Sequence, residues 1–115
     1  MEVIAGNQAH GVEPALWKVE GLETVEAAQQ VAAQVKAGGR EADLIVLGRD
    51  APAERLDHWL RVASQVPAFV GFAIGRSIWE DVVAQYEASD HGPAAAAAAR
   101  SQIAERYLGF TAQWR

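Results

Sequence analysis

The chain has no cysteine, only two lysines and no long apolar run. Without cysteine it has no disulfide framework, no thiolate metal site and no cysteine nucleophile, and this composition is consistent with a reducing cytoplasm. No apolar run approaches the roughly 18 residues that a membrane span needs. The start, Met1 to Ile4, lacks the basic segment and apolar block of a secretion signal. We therefore expect a cytoplasmic protein that does not insert into a membrane.

Basic residues are outnumbered as well. Ten lysines and arginines stand against fifteen acidic residues, which gives a formal net charge of −5. Because phosphate backbones and anionic lipids attract basic surfaces, this balance argues against nucleic acid and acidic membranes as partners. No two of the histidines, His10, His58 and His91, have metal-ligand spacing. The sequence thus predicts neither a metal nor a cofactor.

Length and apolar pattern predict one α/β domain over residues 1–115. The chain is long enough for a single modest core, and half of its residues are apolar. A short apolar strand, a turn and an amphipathic helix follow one another three times, with strands near residues 15–20, 43–48 and 69–75. Strands that alternate with helices indicate a parallel sheet. A short helix is expected before the first strand, and an alanine-rich helix after the third unit.

Each of the three helices that follow a strand has a predicted start. Thr24 is expected to cap the first and Asp50 the second, with Pro52 in its first turn. Ser77 and Glu80 have the spacing of a capping box, which predicts that the third helix begins at Ile78. The free N–H groups of that helix would face the tip of the preceding strand, where an anion can bind.

The segment from Ala15 to Gly21 holds one of the two lysines. In a strand, Lys18 and Glu20 share one face, while Trp17 and Val19 share the other. An ordinary half-buried strand would turn the charged pair towards water. In a parallel barrel, helices cover the outer face, so the charged pair would lie inside. A lysine inside a barrel is typical of an amine held for covalent chemistry.

Three segments together resemble a known family, and they are Trp17 to Gly21, Ile45 to Arg49 and Val70 to Trp79. They are similar to the C-terminal part of class I, Schiff-base aldolases of the tagatose-1,6-bisphosphate aldolase type. They are more similar still to the aldolase-like domain fused to bacterial 2-deoxy-5-keto-gluconate kinase, an enzyme of inositol catabolism. The resemblance covers nearly the whole chain but only the last three strands of an eight-stranded barrel. It implies a partial TIM barrel of three βα units with an extra C-terminal helix.

The resemblance also implies roles for seven residues. Lys18 matches the lysine that forms a Schiff base with the substrate ketone, and Glu20 matches the acid two residues later. The expected binding site for a phosphate or other acidic group of the substrate consists of Gly48, Arg49, Gly75, Arg76 and Ser77. The implied function is that of a lyase acting on a phosphorylated keto sugar or keto acid.

Two interpretations follow. In these aldolases earlier strands supply the acid/base residue, so a chain without them is expected to have little or no activity, since proton transfer contributes about 10²- to 10⁴-fold. Such a chain would meet the remainder of a barrel or other copies of itself. Alternatively, the chain is a non-catalytic α/β association module in which Lys18 and Glu20 form a buried ion pair. Because a three-stranded sheet has two unpaired edges, we expect an oligomer.

Overall fold

The computed structural model describes residues 1–114, which form one three-stranded sheet and five α-helices. In chain order the strands and α-helices are α1 (Glu2–Ala9), β1 (Leu16–Glu20), α2 (Val25–Lys36), β2 (Asp43–Leu47), α3 (Ala53–Ala63), β3 (Phe69–Ala73), α4 (Arg76–Glu87) and α5 (Pro93–Gln113), and a short 3-10 helix (Ala37–Gly39) follows α2. All strands are parallel, in the order β1-β2-β3. The predicted α/β class, with three βα units and an added C-terminal helix, is confirmed.

Helix starts agree with the predictions in one case of three. The Thr24 hydroxyl accepts a hydrogen bond from the Ala27 N–H at 3.1 Å, so the predicted cap of α2 is confirmed. The cap predicted for α3 is wrong, because Pro52 occupies that position and the Asp50 carboxylate contacts Arg76 instead. The capping box is also wrong. Only two residues separate β3 from α4, which begins at Arg76 and leaves Ser77 inside its first turn without a capping bond.

The core lies between the helices and one face of the sheet. This face presents rows of side chains from paired strand positions. Trp17 lies beside Leu44 in one row, and the next row consists of Val19, Val46 and Phe72. Buried residues from the helices complete the core, among them Val31 and Val35 of α2, Leu56, Trp59 and Leu60 of α3, Ile78 of α4 and Phe110 of α5. The sequence predicts that Trp59, an aromatic residue on an amphipathic helix, belongs to the core, and this is confirmed.

The other face of the sheet is left uncovered by residues 1–114. Lys18, Ile45 and Gly71 lie side by side in one row, and Glu20, Leu47 and Ala73 form the next row. None of these six residues belongs to the hydrophobic core. A Cβ atom placed on Gly71 would meet no other atom within 4 Å. The side chains of this face are consequently available to whatever approaches the sheet.

Candidate anion and amine site

A cavity of about 700 Å³ opens beside the carboxyl ends of β2 and β3 and extends to Lys18 on β1. This volume lies within the usual range of small-molecule sites. Six of the seven residues singled out from the sequence line it, namely Lys18, Gly48, Arg49, Gly75, Arg76 and Ser77. The seventh, Glu20, does not line the cavity but forms an ion pair with Arg49. Residues far apart in the chain are thus gathered at one end of a parallel sheet, where ligands commonly bind.

The cavity has an excess of positive charge. Of its three cations, Arg49 pairs with Glu20, and Arg76 pairs with Asp50 at 2.5 Å. Lys18 has no ion-pair partner among residues 1–114. Both arginine pairs are exposed, and such pairs contribute only about 0 to 1 kcal/mol each. An anionic group that enters the cavity could therefore exchange with either carboxylate at small cost.

The buried Lys18–Glu20 ion pair of the association hypothesis is not formed. Both side chains are exposed, and Glu20, at the end of β1, reaches across to Arg49 beyond the end of β2. The expectation that Lys18 is enclosed also fails for residues 1–114. Three strands leave this face of the sheet open, so Lys18 lines a cavity without being buried.

A strained turn connects β2 to α3 at the rim of the cavity. Arg49 and Asp50 are consecutive residues in the left-handed region, with φ of 49° and 58°. Such values are uncommon for residues other than glycine and cluster at functional sites. Just before them, a Cβ atom on Gly48 would lie 3.2 Å from the Leu56 side chain and 3.3 Å from that of Ile74. Close packing therefore accounts for the glycine, and the turn carries Asp50 to Arg76.

Two residues of this candidate site are not predicted from the sequence. The sequence favours a helix cap for Asp50. Asp50 is, however, only three residues beyond the end of β2, so it also lies at the rim where the strand ends meet. From the sequence, the large aromatic side chain of Trp79 on a helix is expected in the core. This expectation is wrong, since Trp79 is 42% exposed and lines the cavity. On α4 the buried positions are Ile78 and Val82, one turn apart, and Trp79 falls beside that stripe.

The first turn of α4 forms one wall of the cavity. Gly75 precedes the helix, and a Cβ atom placed on it would lie 3.7 Å from the indole nitrogen of Trp79. Free backbone N–H groups at a helix start and a guanidinium together suit a phosphate or carboxylate. Within residues 1–114 no group of three His, Cys, Asp or Glu side chains could hold a metal ion. In the same residues, no helix combines the length and apolarity needed to cross a bilayer.

A family model described as an uncharacterized protein conserved in bacteria, DUF2090, matches residues 1–115. The chain belongs to the DUF2090 family. No curated protein and no solved structure matches it. The description of the DUF2090 family names no activity, so the chemistry has to be argued from the side chains themselves. In this DUF2090 chain, the cavity is lined by one amine, which has no ion-pair partner in residues 1–114, and by two guanidiniums. The start of α4 lines the same cavity.

Proposed function

We propose that the chain supplies the amine and the anion-binding side of a cytoplasmic Schiff-base aldolase, a lyase acting on a phosphorylated keto sugar or keto acid. One observation carries the proposal: Lys18, Arg49 and Arg76 line the same cavity. A substrate with an anionic group held by the guanidiniums would present its ketone to the amine. The resemblance to aldolases adds the expectation that the substrate belongs to inositol or related carbohydrate catabolism.

The chemistry would proceed through a covalent intermediate. The neutral amine of Lys18 attacks the ketone carbon, and protonation of the resulting hydroxyl group from solvent lets it leave as water. The iminium that forms accepts the electron pair of the breaking carbon–carbon bond, while the proton of the substrate hydroxyl passes to the acid/base residue that the resemblance assigns to earlier strands. A lysine in water is mostly protonated at neutral pH, and enclosure or neighbouring cations favour its neutral form. Because Lys18 is exposed in residues 1–114, efficient catalysis requires that something covers the open face of the sheet.

Further barrel strands are the cover that best suits the proposal. An eight-stranded barrel needs five strands in addition to the three seen here. Copies of a three-stranded unit add strands in multiples of three, so they cannot total eight. The proposal therefore favours the remainder of a barrel, in the same polypeptide or in a partner, over a ring of identical chains. A homo-oligomer that buries two open faces against each other remains the alternative assembly.

Borohydride trapping tests the amine directly. Reduction of an iminium formed with a phosphorylated ketose leaves a secondary amine whose mass adduct can be assigned to a residue. We expect an adduct on Lys18 that is absent from Lys18→Ala. The matched control is Lys36→Ala, which removes the only other lysine, one that pairs with Asp43 outside the cavity. Absence of an adduct at saturating ketose, or equal labelling of both lysines, would contradict the proposal.

A second candidate, association without catalysis, is favoured by the uncovered face. Ile45 and Leu47 lie on that face outside the core, and Leu16 at the start of β1 is 44% exposed. Apolar side chains in such positions are common where another surface docks. This candidate predicts self-association without any adduct on Lys18, so sedimentation and trapping together separate the two functions.

A further inference from the structure

The guanidinium of Arg76 contacts a carboxylate of its own chain at the place where the proposed function puts the anionic group of a substrate. Asp50 Oδ2 lies 2.5 Å from Arg76 Nη2, and both residues line the cavity. We propose that Asp50 is a built-in competitor for the anion at Arg76, and that it lowers the affinity of the site for every anion that must displace it. This inference rests on the proposed function, because it concerns the same cavity.

The backbone directs Asp50 to this position. Arg49 and Asp50 both adopt left-handed conformations, which cost free energy for residues other than glycine and persist where the surrounding structure imposes them. Asp tolerates this region better than most residues do. No helix-cap bond explains the carboxylate, because the capping position of α3 belongs to Pro52. The contact with Arg76 is the interaction that the turn provides.

The competition is weak enough to be overcome. The side chain of Arg76 is 59% exposed and that of Asp50 is 47% exposed, so water screens the pair. Exposed ion pairs of this kind change an equilibrium by about 1.5- to 5-fold. A phosphate carries up to two charges, can bind a guanidinium through two oxygens and can accept from the N–H groups at the start of α4. A monocarboxylate has the same charge as the Asp50 carboxylate and gains little by replacing it at Arg76. Replacement of Asp50 is therefore more favourable for a phosphate than for a monocarboxylate.

Inorganic phosphate is the probe for the test, and the indole N–H signal of Trp79 is the reporter. That signal is identified in a nitrogen–proton NMR spectrum by its loss in Trp79→Phe. We expect Asp50→Asn to bind phosphate about 1.5- to 5-fold more tightly than the unaltered chain. Asparagine also accepts a left-handed backbone, so the turn is retained. Asp50→Gly removes the carboxylate with a residue that suits this φ better still, and it should give the same change.

Glu80→Gln is the matched control. Glu80 lies near Asp50 and Arg76 on an adjoining depression of the surface but forms no ion pair within residues 1–114. Its substitution removes the same charge without releasing Arg76, so we expect a smaller effect. Equal tightening by Asp50→Asn and Glu80→Gln would overturn the competitor role and leave a general effect of charge.

Two other results separate this inference from the proposed function. If phosphate binds the unaltered chain and Arg76→Ala loses it, but neither Asp50 variant tightens binding, the competitor role is wrong and the anion site stands. If phosphate moves the Trp79 signal in none of the variants, the anion site and its competitor both fail. The iminium at Lys18 is then judged separately by borohydride trapping.

Discussion

Among the glycines, Gly21 is the position where the addition of a single methyl group should have the largest effect. A Cβ atom there would lie 1.8 Å from Cδ2 of Trp59 and 2.1 Å from its Cγ. Separations below 3 Å between such atoms require that one of them moves. The indole cannot move freely, since it is 9% exposed and its N–H donates to Glu23 Oε1 at 3.0 Å. We therefore expect Gly21→Ala to displace α3 from the end of β1.

The magnitude follows from those contacts. Overpacking of a core position costs about 1–3 kcal/mol, and loss of the Trp59 hydrogen bond would add about 1 kcal/mol. With a urea dependence of about 2 kcal/mol/M, the midpoint of unfolding should fall by about 0.5–2 M. We also expect the displacement to change the distance between the Glu20 carboxylate and the Arg49 guanidinium, because Gly21 directly follows the strand that holds Glu20.

Urea unfolding followed by circular dichroism measures this effect, with Gly6→Ala as the control. Gly6 lies within α1, and a Cβ atom there would meet nothing within 4 Å. Alanine in a helix is more favourable than glycine by about 0.5–1 kcal/mol, so the control should be slightly stabilised. A Gly21→Ala variant as stable as the Gly6→Ala variant would refute the packing of Trp59 against this glycine.

Two further predictions concern the α4–α5 contact and the open face of the sheet. The hydrogen-bonded ion pair with Arg106 holds the pKa of Asp81 below its ordinary range, so its stabilisation is present at neutral pH and is lost as the pH falls below about 4. Urea midpoints of Asp81→Asn and the unaltered chain should thus differ at pH 7, and the difference should shrink as the pH falls below the ordinary pKa of an aspartate. A difference that does not change with pH would contradict this. Ile45→Glu should raise the dissociation constant of a self-associated form at least tenfold in sedimentation equilibrium, because it places a charge on the open face. Val3→Glu, at a 75% exposed position on α1, should leave it unchanged, and a monomeric unaltered chain would refute the prediction.

The fold could be predicted because its signals are local. The four branched residues of β2 and the helical spacing of Leu56, Trp59 and Leu60 mark their elements without knowledge of the rest of the chain. Helix caps were predicted less well, because a capping signature is also local and does not include partners from distant parts of the chain. Thr24 bonds within its own turn, whereas Asp50 takes a partner 26 positions further along the chain, which no local signature contains.

Part of the placement of the candidate site residues could be predicted from the sequence. Parallel strands bring their carboxyl ends together, so residues after β2 and β3 had to meet, and Arg49 and Arg76 do line one cavity. The sequence could also assign Lys18 and Glu20 to one face of β1. It could not say what covers that face, because burial depends on elements packed from elsewhere, and within residues 1–114 nothing covers it.

The apolar pattern of β2 indicates that the open face of the sheet is covered by another surface. The sequence predicts a strand buried on both faces, since Leu44, Ile45, Val46 and Leu47 are all apolar. Of these four residues, only Leu44 and Val46 are buried in residues 1–114, and Ile45 and Leu47 are partly exposed on the open face. A strand that turned this face permanently to water would gain nothing from two large apolar side chains there. We therefore expect the second face to be covered in the working assembly, and the cover that buries Ile45 would also enclose Lys18, its neighbour in the same row.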